Sequence, residues 1–324
     1  MVQRNAFKAF ATTFLFLIAA QVAMAEREHL QGFASPDNAV GALDGLPVRL
    51  VRAFQSTNHF DPLPPPGPGD WLVEHPEAGQ TFERFLRARR HRPDAPRNKL
   101  YLLPLGEFPW DRSPRLDLLQ EFAAAFFSLE VALLPVLDLE AAAIVGRRNP
   151  HAGQFQIDAR GVLRLLSRRL PADAFALLGI TMVDLYPDPT WNFVFGLASP
   201  ADRVGVFSFA RYDPGFYGET VSVNAVDLLL RRSCKVLAHE IGHMFGLKHC
   251  VFFNCLMNGS NHLSESDARP LHLCPVDLRK LQHSVGFDPE ARYRRLLEFS
   301  RNVGCDDESA WLEKRLRYLK GIAD

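Results

Sequence analysis

The stretch His239-Glu240-Ile241-Gly242-His243-Met244-Phe245-Gly246-Leu247-Lys248-His249-Cys250 constrains this chain more than any other. At about 100° per residue, a helix through it sets His239 and His243 ~40° apart, so both imidazoles leave one face toward a common point. Such a pair suits a zinc ion. Glu240 lies ~100° round from His239, within reach of a water beside the same ion without being a ligand to it. His249 is the third ligand candidate. On a continuous helix it would face ~240° away from His243, so the chain must turn back between them. Gly246 permits this, because glycine enters the left-handed C-terminal conformation without a Cβ penalty. Leu237, Ile241, Met244 and Phe245 form an apolar arc opposite the histidines, which predicts one buried face and one that lines a cleft.

The remainder of the chain must supply the core for that helix, and 324 residues at 47% hydrophobic suffice for one large domain or two small ones. Lys plus Arg balance Asp plus Glu at 37 each, so no global field favours nucleic acid or an acidic membrane, and neither partner is expected. The N-terminus carries Arg4 and Lys8, an apolar run from Ala9 to Ala23, and Ala23-Met24-Ala25 before Glu26. That is the pattern of a secretory signal over residues 1–25, with a secreted or periplasmic product and no membrane span once the signal is cleaved. Residues 26–99 read as a proline-rich extension wrapped on the surface, since Asp61-Pro62-Leu63-Pro64-Pro65-Pro66-Gly67-Pro68 can hold neither a helix nor a central strand. A short helix is expected within Thr81–Arg90.

From Leu100 the pattern alternates between strands and helices. Leu100–Leu105 reads as a strand, Leu116–Leu129 as a helix and Val131–Leu137 as a buried strand, an order that implies a parallel pair. A helix follows at Ala159–Leu170, a strand at Thr181–Leu185, and an antiparallel hairpin from Asn192–Leu197 and Val204–Ala210. The histidine helix spans Val226–Gly246, and three tail helices are expected at Pro275–Val285, Pro289–Arg301 and Ser309–Leu319. The fold class is therefore α/β: a twisted mixed sheet with an antiparallel edge strand, an active-site helix and C-terminal helices. The domain from 100 to 324 carries the site.

Three of the five cysteines, Cys250, Cys255 and Cys274, crowd the segment just after the third histidine, a density that suits a metal site better than a loop staple. Cys234 reads as core and Cys305 is unassigned. The run from His239 to Cys250, followed by Cys255-Leu256-Met257 and Cys274-Pro275, resembles the archaemetzincin family of zinc metalloproteases. Asp184-Leu185-Tyr186-Pro187, Trp191-Asn192-Phe193-Val194-Phe195-Gly196 and Phe207-Ser208-Phe209-Ala210-Arg211-Tyr212 share in the resemblance, and Gly69-Asp70-Trp71 and Gly79-Gln80-Thr81-Phe82 extend it toward the N-terminus.

The resemblance implies a metzincin-like fold, a catalytic zinc on His239, His243 and His249, Glu240 as general base, and Met257 as the methionine of the turn beneath the metal. It also implies a second, structural zinc on four cysteines, of which Cys250, Cys255 and Cys274 are present. Where the family pattern closes in C-x-x-C, this chain has Cys274-Pro275-Val276-Asp277. Asp277 can ligate zinc through oxygen. The alternatives are an empty or partly occupied site, or a disulfide such as Cys250 with Cys255, both favoured by export.

The expected activity is zinc-dependent hydrolysis of peptide bonds in a peptide or protein substrate by a monomer. No side chain is assigned to the oxyanion, although Tyr212 and Tyr217 precede the histidine helix. A non-catalytic, zinc-stabilised binding protein is the alternative, and Glu240, which such a protein would not need, argues against it.

Overall fold

The apolar run at 174–181 is buried at every position and sets the centre of the molecule. In the computed structural model, residues 35–88, 92–218 and 225–322 are described, and the expected signal segment lies outside them. Helices α1 (Pro36–Val40), α2 (Val48–Phe54), α3 (Trp71–Glu74) and α4 (Phe82–Arg87) come first. Then follow β1 (Lys99–Leu105), α5 (Leu116–Phe127), β2 (Glu130–Leu133), β3 (Gly146–Arg148), β4 (Phe155–Asp158), α6 (Ala159–Arg169), β5 (Ala174–Thr181) and β6 (Asp184–Tyr186). The hairpin strands are β7 (Gly196–Ser199) and β8 (Val204–Ser208), and the long helix α7 spans Ala225–Met244. After it come α8 (Leu263–Asp267), α9 (Pro275–Val285), α10 (Pro289–Asn302) and α11 (Asp306–Leu319).

The main sheet has the order β2-β1-β5-β8-β7, parallel except for β7, which pairs antiparallel with β8 and forms an edge. The mixed α/β fold with an antiparallel edge strand is thus the one the sequence implies. Alternation along the strands sorts side chains between two layers. Leu178 and Ile180 of β5 join Leu100 and Leu102 of β1 against α5 and α7. Leu177, Leu103, Val204 and Val206 face α6 through Val162 and Leu166. Asp158 starts α6 by accepting the Arg160 N–H, and Ser128, at φ 54°, ends α5.

Three strand expectations need correction. The central strand is 174–181 and not Thr181–Leu185, because a strand buried on both faces shows no alternation to mark it. Asp184–Tyr186 instead joins a second small sheet of order β3-β4-β6. The strand expected at Val131–Leu137 stops at Leu133 and is a half-buried edge, since Pro135 has no N–H to continue the ladder, and Leu137 returns only as an isolated bridge to Leu105. The first hairpin strand begins at Gly196, four residues late, because Val194 bridges to Leu185.

The tail helices at Pro275 and Pro289 start where expected, each with proline in its first turn. The described part of the N-terminal segment does more than lie on the surface. Phe54, Phe60 and Phe85 belong to the same buried core as α7. The proline-rich run is tied down by backbone bonds from Asn254 N–H to the Asp61 carbonyl at 2.9 Å and from Leu63 N–H to the Phe252 carbonyl at 3.4 Å.

Candidate metal centre and cleft

Helix α7 carries His239 and His243 on one face, with Leu237, Ile241, Met244 and Phe245 at 2% exposure or less on the other. It closes at Gly246, whose φ is 81°. The Gly246 N–H donates to the His243 carbonyl at 2.9 Å and the Leu247 N–H to the Gly242 carbonyl at 3.2 Å, the paired pattern that a left-handed residue makes at a helix end. The chain reverses there and brings His249 back. One nitrogen from each of the three imidazoles lies within 4.8 Å of the others.

Every ring is held by its Nδ1. His239 Nδ1 meets the Leu256 carbonyl at 3.1 Å, His243 Nδ1 the Leu247 carbonyl at 2.7 Å, and His249 Nδ1 the Glu77 carboxylate at 2.7 Å. These bonds fix ring orientation and leave Nε2 free to ligate. The Nε2 atoms of His239 and His243 are 3.1 Å apart. Two imidazole nitrogens on one tetrahedral zinc would sit ~3.3 Å apart, so the donor set fits that ion. Burial depresses the basicity of the two helix histidines: His239 lies well below the ordinary range and His243 is pushed down to about 4, with neighbouring histidines adding to the effect. Neutral imidazoles are the form a metal needs.

Met257 packs beneath this helix turn. A Cβ at position 242 would come within 2.7 Å of the Met257 sulfur, so the glycine between the two histidines is a condition of that contact. Glu240 is half-buried in a cleft of about 330 Å³ that the three histidines, Tyr212, Lys235 and Arg269 also line. Burial pushes its carboxyl up to about 7, against the opposing charge of Arg269. Tyr212 is buried and its phenol is raised by that burial. Tyr217 is half-exposed and lies outside the cleft lining. A larger cavity of about 510 Å³, near Gly106 at the end of β1, contains none of these groups.

The N-terminal segment completes the site, which sequence reasoning missed. Glu77, besides holding His249, accepts the Trp71 indole N–H at 2.6 Å, and the Trp71 ring meets His249 edge-on at 4.9 Å. Burial alone would raise the Glu77 carboxyl, but the hydrogen bond and charge of His249 outweigh it and leave its pKa lowered. The Gln80 side chain donates to the Gly246 carbonyl and accepts from Lys248 N–H, both at 3.2 Å, and so clamps the reversal. The only sequence signals were Gly69-Asp70-Trp71 and Gly79-Gln80-Thr81-Phe82, which flank Glu77.

Cys250, Cys255, Cys274 and Asp277 form a second cluster, with one ligand atom of each within 4.8 Å of the rest and exposures of 2, 0, 0 and 0%. Cys250 and Cys274 sulfurs are 3.6 Å apart, near the ~3.8 Å of two thiolates on one zinc. Asp277 directs Oδ2 at Cys255 (3.4 Å) and Cys274 (3.5 Å), while Oδ1 receives the Lys280 ammonium at 2.8 Å. Burial raises the Asp277 carboxyl to about 6. All five cysteines are free, so the Cys250–Cys255 disulfide considered from sequence is not formed, and Cys234 is core. A third group, Asp70, His262 and Glu265, is occupied with structural bonds: Glu265 accepts the N–H groups of Trp71 and Asn261, and His262 caps α8.

An open cluster of three imidazoles beside a carboxylate, on a helix packed against a mixed sheet, marks the class: a zinc metallopeptidase. Residues 153–283 match peptidase family M54. The chain is 41% identical to archaemetzincin-2 of Macaca fascicularis, covering 83% of this chain and 81% of that protein, and 39% identical to archaemetzincin-2 of Mus musculus, covering 83% of each. It belongs to the archaemetzincins. A crystal structure of archaemetzincin from Archaeoglobus fulgidus aligns over 56% of this chain and 99% of that one, at 28% identity and a TM-score of 0.43.

Proposed function

We propose that His239, His243 and His249 hold the catalytic zinc and that Glu240 is the general base of a peptide hydrolase. A zinc ion bound there supplies Lewis-acid polarisation of the scissile carbonyl and makes water a nucleophile near neutral pH. The Glu240 carboxylate takes the proton from the attacking water and returns it to the leaving nitrogen. One carboxylate beside the histidines serves both steps. The three Nδ1 bonds hold the rings in place, and buried Tyr212 with half-buried Trp71 walls the cleft beside them. The observation that carries this reading is the convergence of three Nδ1-anchored imidazoles on a cleft beside a non-ligating carboxylate.

Phe193 to Gly196 line the same cleft and lead into β7, whose outer edge is unpaired in the main sheet. A substrate peptide lies extended along this edge, held by backbone hydrogen bonds that tolerate many sequences. Cys250, Cys255, Cys274 and Asp277 hold a second, structural zinc, with Lys280 occupying the outer carboxylate oxygen. The protein is exported after loss of residues 1–25 and works as a monomer, with residues 26–99 serving the peptidase domain of 100–324. Among the described residues, no helix is long and apolar enough to cross a membrane.

The test is zinc-loaded Glu240→Gln assayed on a library of quenched peptides. It should keep its histidine-site metal and lose turnover by about 10²–10⁴-fold. Unchanged turnover would remove the mechanism.

A further inference from the structure

Lys235 and Arg269 line the zinc cleft, and they are not treated like Arg211 and Arg232. Arg211 grips Asp184 through Nε and Nη2 at 2.8 Å each, and Arg232 grips Asp267 through the same two nitrogens at 2.9 and 2.6 Å. That edge of the guanidinium is a fork shaped for a carboxylate. In Arg269 the same Nε and Nη2 have no hydrogen-bond partner, although the residue is only 9% exposed. Lys235, at 6%, donates only to the carbonyls of Ser266 (3.2 Å) and Asp267 (2.8 Å).

Arg292 and Arg315 also leave buried guanidinium nitrogens without a partner, Nη1 and Nη2 in the first and Nε in the second, but each has another anchor. Arg292 donates to the Phe126 carbonyl and stacks on that ring at 4.5 Å, and Arg315 donates to the carbonyls of Arg52 and Ala53 and lies 4.7 Å over Phe60. Among the described residues, Arg269 has neither kind of anchor. A buried charge left unpaired is costly, and the acidic side chains nearest it are committed elsewhere. Glu265 accepts from Trp71 and Asn261, and Glu240 is the proton carrier. Both Arg269 and Lys235 line the zinc cleft.

We infer that Arg269, with Lys235 beside it, binds a carboxylate of the substrate, so that the cleft selects peptides presenting an acidic side chain or a free C-terminus next to the scissile bond. The inference rests on the peptidase reading for the word substrate, but the binding itself is separately measurable. The Arg269 charge pairs with the carboxylate and the Lys235 ammonium adds to it.

The experiment uses zinc-loaded Glu240→Gln protein, which reads binding without turnover. Fluorescent peptides are titrated in pairs, Glu against Gln at each position, with the C-terminus free or amidated. The carboxylate member should bind about 10- to 100-fold more tightly, the range for a charge-assisted hydrogen bond. A ratio that follows the Glu side chain assigns an internal acidic residue, and one that follows the free terminus assigns the chain end. Adding Arg269→Met should bring the ratio toward one, and Arg269→Lys should retain part of it. Equal binding of all pairs, or a ratio unchanged in Arg269→Met, overturns the inference. Acidic peptides that bind through Arg269 but are never cut by the wild-type enzyme overturn the peptidase reading alone. Cleavage with no carboxylate preference overturns the Arg269 assignment alone.

Discussion

His249 and Cys250 are neighbours in sequence, yet they enter two clusters with opposite surroundings. The histidine cluster opens onto a cleft, with the His249 side chain 18% exposed and a carboxylate standing beside it. The cysteine cluster is sealed, with no member above 2%. Three neutral imidazoles leave a bound ion its full charge and an open position, whereas three thiolates and a carboxylate would more than offset its charge and fill every position. The contrast teaches how one short loop serves chemistry and stability together: the Cys250 N–H donates to the Met257 carbonyl at 2.9 Å, so the sealed cluster holds the methionine that packs under Gly242 and the histidines.

The largest expected effect comes from breaking the sealed side. The zinc-loaded protein should carry two ions per chain by metal analysis, and Asp277→Ala should carry one, with a loss of stability bounded by the ~10–16 kcal/mol a structural zinc supplies in small domains. Asp277→Cys should restore the second ion. One ion throughout would show that the two clusters are not both metal sites.

The pH response sharpens the same contrast in chelator-treated protein. Burial raises the Asp277 carboxyl from 3.8 to about 6. The fold therefore holds that proton more tightly than the unfolded chain does, and the contribution is present below about pH 4 and lost as pH rises through about 6. A displacement of that size is worth ~3 kcal/mol. His243 behaves oppositely: depressed from 6.5 to about 4, it contributes above 6.5 and loses that contribution as pH falls through about 4. Urea melts should show wild type losing ~3 kcal/mol relative to Asp277→Asn as pH rises from 4 to 7, and a constant gap would break the assignment.

The smallest effect is confined to the open side. Glu77→Ala should weaken zinc at the histidine site by about 10–100-fold, as loss of an outer-shell partner does, and leave the cysteine site's ion in place. Competition with a graded chelator measures both. Equal loss from the two sites would mean that Glu77 supports the loop as a whole and not His249.

Much of the open site was legible because its determinants are local. Helical period aligned His239 with His243, and a glycine at 246 announced the reversal that the structure displays at φ 81°. Asp277 was reached through the family resemblance, at the position where the C-x-x-C pattern would close. The supports were not legible, because they come from far away: Glu77 lies 172 residues before the His249 it holds, and Gln80 lies 166 before the Gly246 carbonyl it meets. Arg269 carried no motif, and its missing partner is visible only once its neighbours are known. Strand β5 escaped notice for a related reason, since burial on both faces erases the alternation that marks a strand.

The sequence by itself determined the candidate metal ligands, the helix that presents them and the α/β character of the chain, because period, glycine and donor type act within a few residues. Only the tertiary structure decided that one cluster is open and the other sealed, that the N-terminal segment reaches the third histidine, and that two cations in the cleft lack carboxylates. Those properties depend on which distant surfaces exclude water from one another, and burial of that kind is set by the packed whole.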